Sequence, residues 1–231
     1  MKKTFLYALK HSFPIFISWI PVGLAYGVLM ASAGYNFLWA GACSLLVHAG
    51  SLQFLMVSFF TGVESYITVA IMALLLNSRH IFYGLPFIEK FREFGGWKYF
   101  LIYSLSDENF SLHCSHDFGE GVHEKWAYVI TAALLVFYWM ILSIVGGLIG
   151  SFIPFDTTGI DFALTALFII ILIDQLKGSD TALPALIAFG SSIICLAAIG
   201  AKNFILPSLV ITVALLVVFR KRLEAAEKEA E

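Results

Sequence analysis

Asn77-Ser78-Arg79-His80 lies inside a run of apolar residues from Tyr66 to Phe87. At the centre of a bilayer helix an arginine costs roughly 3 kcal/mol on an insertion scale, whereas nearer an end it snorkels to the headgroups. Asn77 is too short to snorkel, which moves the pair toward a polar cavity. The preceding apolar run, Phe37 to Phe60, carries His48 near its middle and Gln53 after it. An imidazole and a primary amide at that depth must face a partner or a cavity, and such residues are a functional-site hypothesis by default. Asp107 and Glu108 adjoin the apolar stretch Tyr99 to Leu105, where they could titrate or pair with Arg79. The chemistry open to this set is hydrogen bonding, charge recognition and proton transfer, with His48, His80, Asp107 and Glu108 as the proton-carrying candidates.

Other polar interruptions have a simpler reading beside the chemical one. Gly41, Ser44, His48 and Ser51 share one helical face by their three- and four-residue spacing, and for Gly41, Ser44 and Ser51 a small-residue packing seam explains it. Gly146, Gly147 and Gly150 read as close helix contact in the same way. His113, Cys114, His116, Asp117 and His123 follow the acidic pair; two histidines three apart with acidic neighbours could bind a metal, but the spacing matches no zinc motif. Asp174, Lys177, Asp180 and Lys202 fall at segment ends and read as interfacial charges.

The elements that must position these side chains follow from composition. Of 231 residues, 60% are hydrophobic and 13% charged, with mean hydropathy +0.88; a soluble domain carries roughly 25% charged residues. That excludes an ordinary soluble enzyme, and a net charge of −2 gives no basic footprint for nucleic acid. Three scattered cysteines make neither a disulfide framework nor a metal spacing. Lys2, Lys3 and Lys10 ahead of an apolar run imitate a signal peptide, but Phe13 to Ala33 exceeds a signal core of ~7 to 15 residues and contains Pro14 and Pro21.

Apolar runs extend over Phe13 to Ala33, Phe37 to Phe60, Tyr66 to Phe87, Trp126 to Ile153, Phe162 to Ile173, Thr181 to Ile199 and Ile205 to Phe219. Lipid offers no partner to an unpaired backbone and the runs lack strand alternation, so the fold class is all-α: a polytopic helical membrane protein, one integral-membrane transporter domain over 1–231. Lys and Arg concentrate at the N-terminus, from Lys90 to Lys98, and at Arg220 to Arg222, which places all three inside and both termini in the cytoplasm. Seven full crossings would contradict that. About six are expected, with at least one broken or re-entrant segment. The first run is the expected place of the break, through Pro14, Pro21, Gly23 and Gly27, because proline removes a helix hydrogen bond; Phe162 to Ile173 is the second candidate. Glu89 to Lys125 is the one long polar region.

At these residues the chain resembles the AzlC-like family, the large subunit of two-component branched-chain amino acid exporters. The likeness rests on Pro14 with Pro21-Val22-Gly23 and Gly27, Ser44 with Ala49-Gly50 and Gln53-Phe54, Asn77-Ser78-Arg79 with Tyr83-Gly84, and Asp107-Glu108 with Phe110. It covers about the first half of the chain, in the family's order. It implies export of branched-chain amino acids, with methionine a further candidate, across a bacterial inner membrane. It also implies drive by the proton gradient and a small hydrophobic AzlD-like partner subunit; no cofactor and no nucleic acid are expected.

A zwitterion with a branched apolar side chain needs donors for its carboxylate, which an interrupted helix offers through free N–H groups and a positive dipole end. The expected substrate-binding set is therefore Pro21, Gly23 and Gly27 at the break, Arg79 as reinforcement, and Asn77 and Gln53 as acceptors, with Asp107 and Glu108 available to the ammonium. A membrane-embedded metal-dependent hydrolase using His113, His116 or His123 is the alternative from another class; a non-transporting scaffold and a pore are the others.

Overall fold

The computed structural model describes residues 1–62, 65–115, 118, 121–152, 169, 172–173, 176, 183–200 and 204–230. The link Pro154 to Asp161, His116, Asp117, most of the run Phe162 to Ile173, and Asp174, Lys177, Asp180 and Lys202 lie outside the described residues. Every described element is helical. In chain order they are α1 (Lys2–Ser32), α2 (Phe37–Leu46), α3 (Gly50–Thr61), α4 (Tyr66–Asn77), α5 (Arg79–Gly84), a 3-10 turn (Leu85–Phe87), α6 (Ile88–Glu93), α7 (Trp97–Tyr103), α8 (Asp107–Cys114), α9 (Glu124–Phe152), α10 (Leu183–Ile199) and α11 (Ile205–Ala230). Three helical stretches among the described residues are long and apolar enough to cross a membrane: Lys2–Ser32, Tyr66–Glu93 and Glu124–Phe152.

The chain forms two compact units. The first comprises Met1–Val63 and Leu76–Ile160, the second Glu64–Leu75 and Asp161–Glu231. In the second unit α10 packs along α11, with the Ser191 and Thr212 hydroxyls hydrogen-bonded at 2.5 Å and Cys195 buried.

In the first unit α1 and α9 lie side by side at a separation that glycine alone permits. A Cβ at Gly27 would stand 2.2 Å from the Ser143 carbonyl oxygen, and one at Gly146 would stand 2.3 Å from that of Leu24. Gly23 meets the Leu142 side chain and Gly150 the backbone of Val28. The expected close contact of Gly146, Gly147 and Gly150 is thus present, with Gly147 against Phe37 of α2. Small residues let backbones approach where lipid supplies no hydrophobic drive for association.

This contact corrects the expected break. Pro14 and Pro21 lie inside a continuous 31-residue α1, so Pro21, Gly23 and Gly27 open no backbone there. Each proline forfeits one helix hydrogen bond, but the helix is held along its length against α9, and Gly23 and Gly27 serve that packing. α1 ends at Gly34, with φ 86°: the Gly34 N–H donates to the Ala31 carbonyl and the Tyr35 N–H to that of Met30, a Schellman closure. Asn36 then caps α2 by accepting from the Leu38 and Trp39 N–H groups.

The chain leaves the helix instead within the run Phe37 to Phe60, at Val47, His48 and Ala49, between α2 and α3. A second interruption falls at Ser78, between α4 and α5. The polar region beyond Glu89 is also more ordered than its composition suggests. It folds as α6, α7 and α8, whose Phe91, Phe94, Leu101 and Leu105 form a core with Phe87 and with Tyr128, Val129 and Ala132 of α9. His113 is not a loop residue; it is buried on α8, edge-on to Phe87 and Phe91.

If the α1 and α9 backbones hold the unit together, Gly27→Ala and Gly146→Ala should each cost roughly 1 to 3 kcal/mol and sharply reduce monodisperse protein on size-exclusion chromatography. Gly190→Ala, with nothing within 4 Å of the added carbon, should elute as the parent does. Equal recovery of all three would refute the seam.

Candidate functional site

At the break between α2 and α3, His48 and Ala49 are buried. His48 takes φ 40°, a left-handed conformation that costs an L-residue roughly 1 to 2 kcal/mol, and Ala49 is extended. α3 starts without a side-chain cap, so its first N–H groups and its positive dipole end are presented at the break. On the other flank the Leu45 carbonyl, freed near the end of α2, accepts from the Tyr103 hydroxyl of α7.

A buried polar chain clamps both flanks to α9. Trp139 donates through Nε1 to the Gln53 Oε1 at 2.7 Å, and the Gln53 amide donates to the Ser44 hydroxyl at 3.0 Å. Ser44 donates to the Ser143 hydroxyl at 2.8 Å, and Ser143 closes back on the Trp139 carbonyl at 2.8 Å. Gln53, Ser44 and Ser143 are wholly buried. Gln53 therefore spends its oxygen and one amide hydrogen on holding α2, α3 and α9 together.

Ser51, two residues past Ala49, does not continue the seam of Gly41 and Ser44. The break turns it toward α5, where it accepts from Arg79 Nη2 at 3.1 Å. The other guanidinium terminus, Nη1, pairs with the Asp107 Oδ2 at 2.8 Å. Arg79 thus bridges the first turn of α3 to the first turn of α8, and the expected pairing with Asp107 is present. Ser106 caps α8 by accepting from the Asn109 N–H. Glu108 beside it accepts from Trp19 Nε1 of α1 at 3.1 Å and from the Ser106 hydroxyl at 3.0 Å. In α8, outside the candidate spanning stretches, burial and secondarily the Asp107 charge push the Glu108 carboxyl above the usual carboxylate range, against its own amide and the Trp19 and Ser106 donors.

Several buried polar atoms of this bridge and its neighbour have no hydrogen-bond partner: Arg79 Nε, Asp107 Oδ1 and Asn77 Oδ1. A native protein meets most such atoms internally or through water, so these are valences that a bound molecule can fill. His80 and Tyr83 of α5 flank them with ring centroids 5.8 Å apart, and Tyr83 stacks on Phe110 of α8 at 4.9 Å. Electrostatically the guanidinium and an uncapped helix start converge on one spot, a combination suited to an anion.

The structure accordingly brings Arg79, Asp107 and Ser51 together, with His80 on the same short helix as Arg79 and Asn77 two residues before it, while His48 stands in the break itself. It sets Gln53 behind them and leaves Pro21, Gly23 and Gly27 on α1, Pro21 exposed and the two glycines against α9. Ser51, Tyr103, Trp19 and Trp139 were not singled out by the sequence as parts of a site; their roles depend on long-range contacts. No group of three metal-ligating side chains occurs among the described residues.

The profile of the AzlC protein family matches residues 14–153. A Bacillus subtilis (strain 168) relative called "Branched-chain amino acid transport protein AzlC" is 34% identical over 95% of this chain and 87% of its own. A Helicobacter pylori (strain J99) "Uncharacterized membrane protein" is 33% identical over 96% of this chain and 97% of its own. The Escherichia coli (strain K12) "Inner membrane protein YgaZ" is 32% identical over a shorter stretch, 35% of this chain and 33% of its own. No solved structure matches.

Gln53→Ala would strand the Trp139 N–H and remove the bond that the Ser44 oxygen accepts and should cost about 1 to 3 kcal/mol, seen as a lower thermal midpoint in detergent. Asn77→Ala removes an oxygen with nothing to lose and should leave the midpoint within a degree or two of the parent, as small stability changes do. A larger loss for Asn77→Ala than for Gln53→Ala would reverse these assignments.

Proposed function

We propose, because the chain belongs to the AzlC protein family, that this membrane protein exports branched-chain amino acids, with methionine a further candidate, across a bacterial inner membrane. The single observation that carries the site is the Arg79 bridge: a guanidinium held between Ser51 at an uncapped helix start and Asp107 at another helix start. Without substrate the two charges satisfy each other. A zwitterion divides them, its carboxylate taking the guanidinium in a bidentate pair together with the N–H groups opening α3, and its ammonium taking Asp107 and the unmet Asn77 oxygen. The substrate's own ion pair replaces the protein's, so entry leaves no lone charge buried. Tyr83 and Phe110, on the same two helices as Arg79 and Asp107, offer an apolar and aromatic wall to the branched side chain.

The break lets α2, α3 and α5 change their mutual angles, which is what alternating access at a discontinuous helix requires. Drive by the proton gradient, a small AzlD-like membrane partner, and a transport role in place of catalysis belong to the same reading. Lys90, Arg92 and Lys98, the Lys residues near the N-terminus, and Arg220 to Arg222 near the C-terminus each favour the cytoplasm, and with it a cytoplasmic side for both termini.

Efflux of preloaded labelled leucine from proteoliposomes tests the site. Arg79→Gln and Asp107→Asn should each slow efflux by around thirtyfold, equivalent to a charged hydrogen bond of roughly 2 kcal/mol. Each also leaves a lone charge, so the decisive variant is the double one. Arg79→Gln with Asp107→Asn should regain parental thermal stability and remain inactive; if it transports leucine at the parental rate, the pair is only structural. For orientation, a cysteine at Gly95 and a tag at residue 1 should both be shielded from impermeant reagents applied outside whole cells. Labelling of either from outside would invert the topology.

A further inference from the structure

His48 combines three features that the Arg79 bridge does not use. Among the described residues it is the one non-glycine with a positive φ, its side chain is 4% exposed, and neither ring nitrogen has a partner. A neutral imidazole carries one donor and one acceptor, and here both are unmet. A second proton would add a second unmet donor and a charge away from water, so this arrangement has no place for it. The break itself supplies what a protonated ring would need, since carbonyls at the end of α2 lack intrahelical partners, but reaching them requires the backbone at residues 47–49 to turn. A strained residue inside an interrupted helix is the kind of element that has two arrangements.

We propose that His48 is where proton binding is tied to the change of access, the ring taking up a proton when the break rearranges and releasing it on return to the arrangement seen here. This rests on the transport reading above and selects one of its four proton-carrying candidates. The step is a simple protonation: a ring-nitrogen lone pair takes H⁺ from water on one side and returns it to water on the other. Of the remaining candidates, Asp107 is tied to Arg79, Glu108 accepts from Trp19 and Ser106, and His80 is only half-buried. The titratable groups facing His48 are Tyr103 of α7, with ring centroids 6.0 Å apart, and His80 of α5, whose charge would repel its own. His80 in turn senses Arg79 on its own helix and Asp107 on α8. Ser51, three residues past His48, holds Arg79, so a rearrangement of the break reaches the substrate's charged partners through the chain itself, which is the linkage that coupled transport needs.

The full chain in proteoliposomes, supplied with labelled leucine, separates coupling from binding. Leucine exchange at equal pH on both sides requires no net proton movement, whereas accumulation against a leucine gradient under an imposed pH difference does. His48→Asn tolerates a left-handed backbone and does not titrate; His48→Gly relieves the strain and removes the ring. Both are expected to exchange leucine within about twofold of the parent and to lose pH-driven accumulation by about tenfold or more, with a flattened dependence of exchange on pH between about 5 and 8. Parental accumulation by either variant would overturn the proposal, as would loss of exchange and accumulation together, which would make His48 a substrate contact or a folding residue. A parent protein that exchanges no amino acid would instead overturn the transport reading.

Discussion

A backbone that leaves the helix at membrane depth must have its peptide groups met by protein or by an enclosed cavity, because lipid meets none of them. Much of the first unit can be read as the answer to that requirement at Val47, His48 and Ala49. Tyr103 takes a freed carbonyl, and the chain from Ser44 through Gln53 and Trp139 to Ser143 fastens the helices on either side to α9. Among the buried side-chain atoms left unmet are Arg79 Nε, Asp107 Oδ1 and Asn77 Oδ1, at and beside the pair that Arg79 and Asp107 make. The interruption thus creates both a structural obligation and a polar opening, and the two are met by different residues of the same few turns.

Backbone contact and polar contact are divided between helices accordingly. α1 and α9 touch backbone to backbone at Gly27 and Gly146, a contact with no side chains to rearrange. α3 and α8 instead meet α5 through polar tips at their first turns, a serine hydroxyl and a carboxylate on one guanidinium, beside the Tyr83–Phe110 stack. Such contacts can be exchanged for contacts with a ligand at little packing cost, since each partner also has chemistry to offer a zwitterion. The Arg79 pair shows this economy, for its two halves are complementary to each other and to the two ends of an amino acid.

The sequence discloses the parts of this structure that depend on composition and on residue type. Its apolar runs locate the described helices, and the need of Asn77, Arg79, His48 and Asp107 for polar company marks them as candidate residues. The location of the break was not legible. Prolines at 14 and 21 are the loudest local signal in the chain, yet α1 stays continuous because α9 lies along it. At Val47-His48-Ala49 no residue type demands a break, and a histidine in a left-handed conformation is a cost that tertiary contacts impose. The structural part that Gln53 plays was hidden for a related reason. A primary amide in an apolar run looks like a binding group, and only the approach of Trp139 and Ser44, one of them from a distant helix, shows both its ends engaged. The polar stretch after Glu89 hid its helices because they are short and its apolar residues are interspersed with charged ones, and these residues find their core on α9.

The glycine seam carries an evolutionary consequence. Where a substituted side chain collides with another side chain, a second mutation that trims the neighbour can restore the fit. At Gly27 and Gly146 the obstacle is the main chain of the opposing helix, which no exchange of amino acids can make smaller. Those positions have no simple second-site suppressor, so lineages that lose either glycine have no short mutational route back except reversion. The seam is in that sense a ratchet, able to persist through wide divergence of the helices around it.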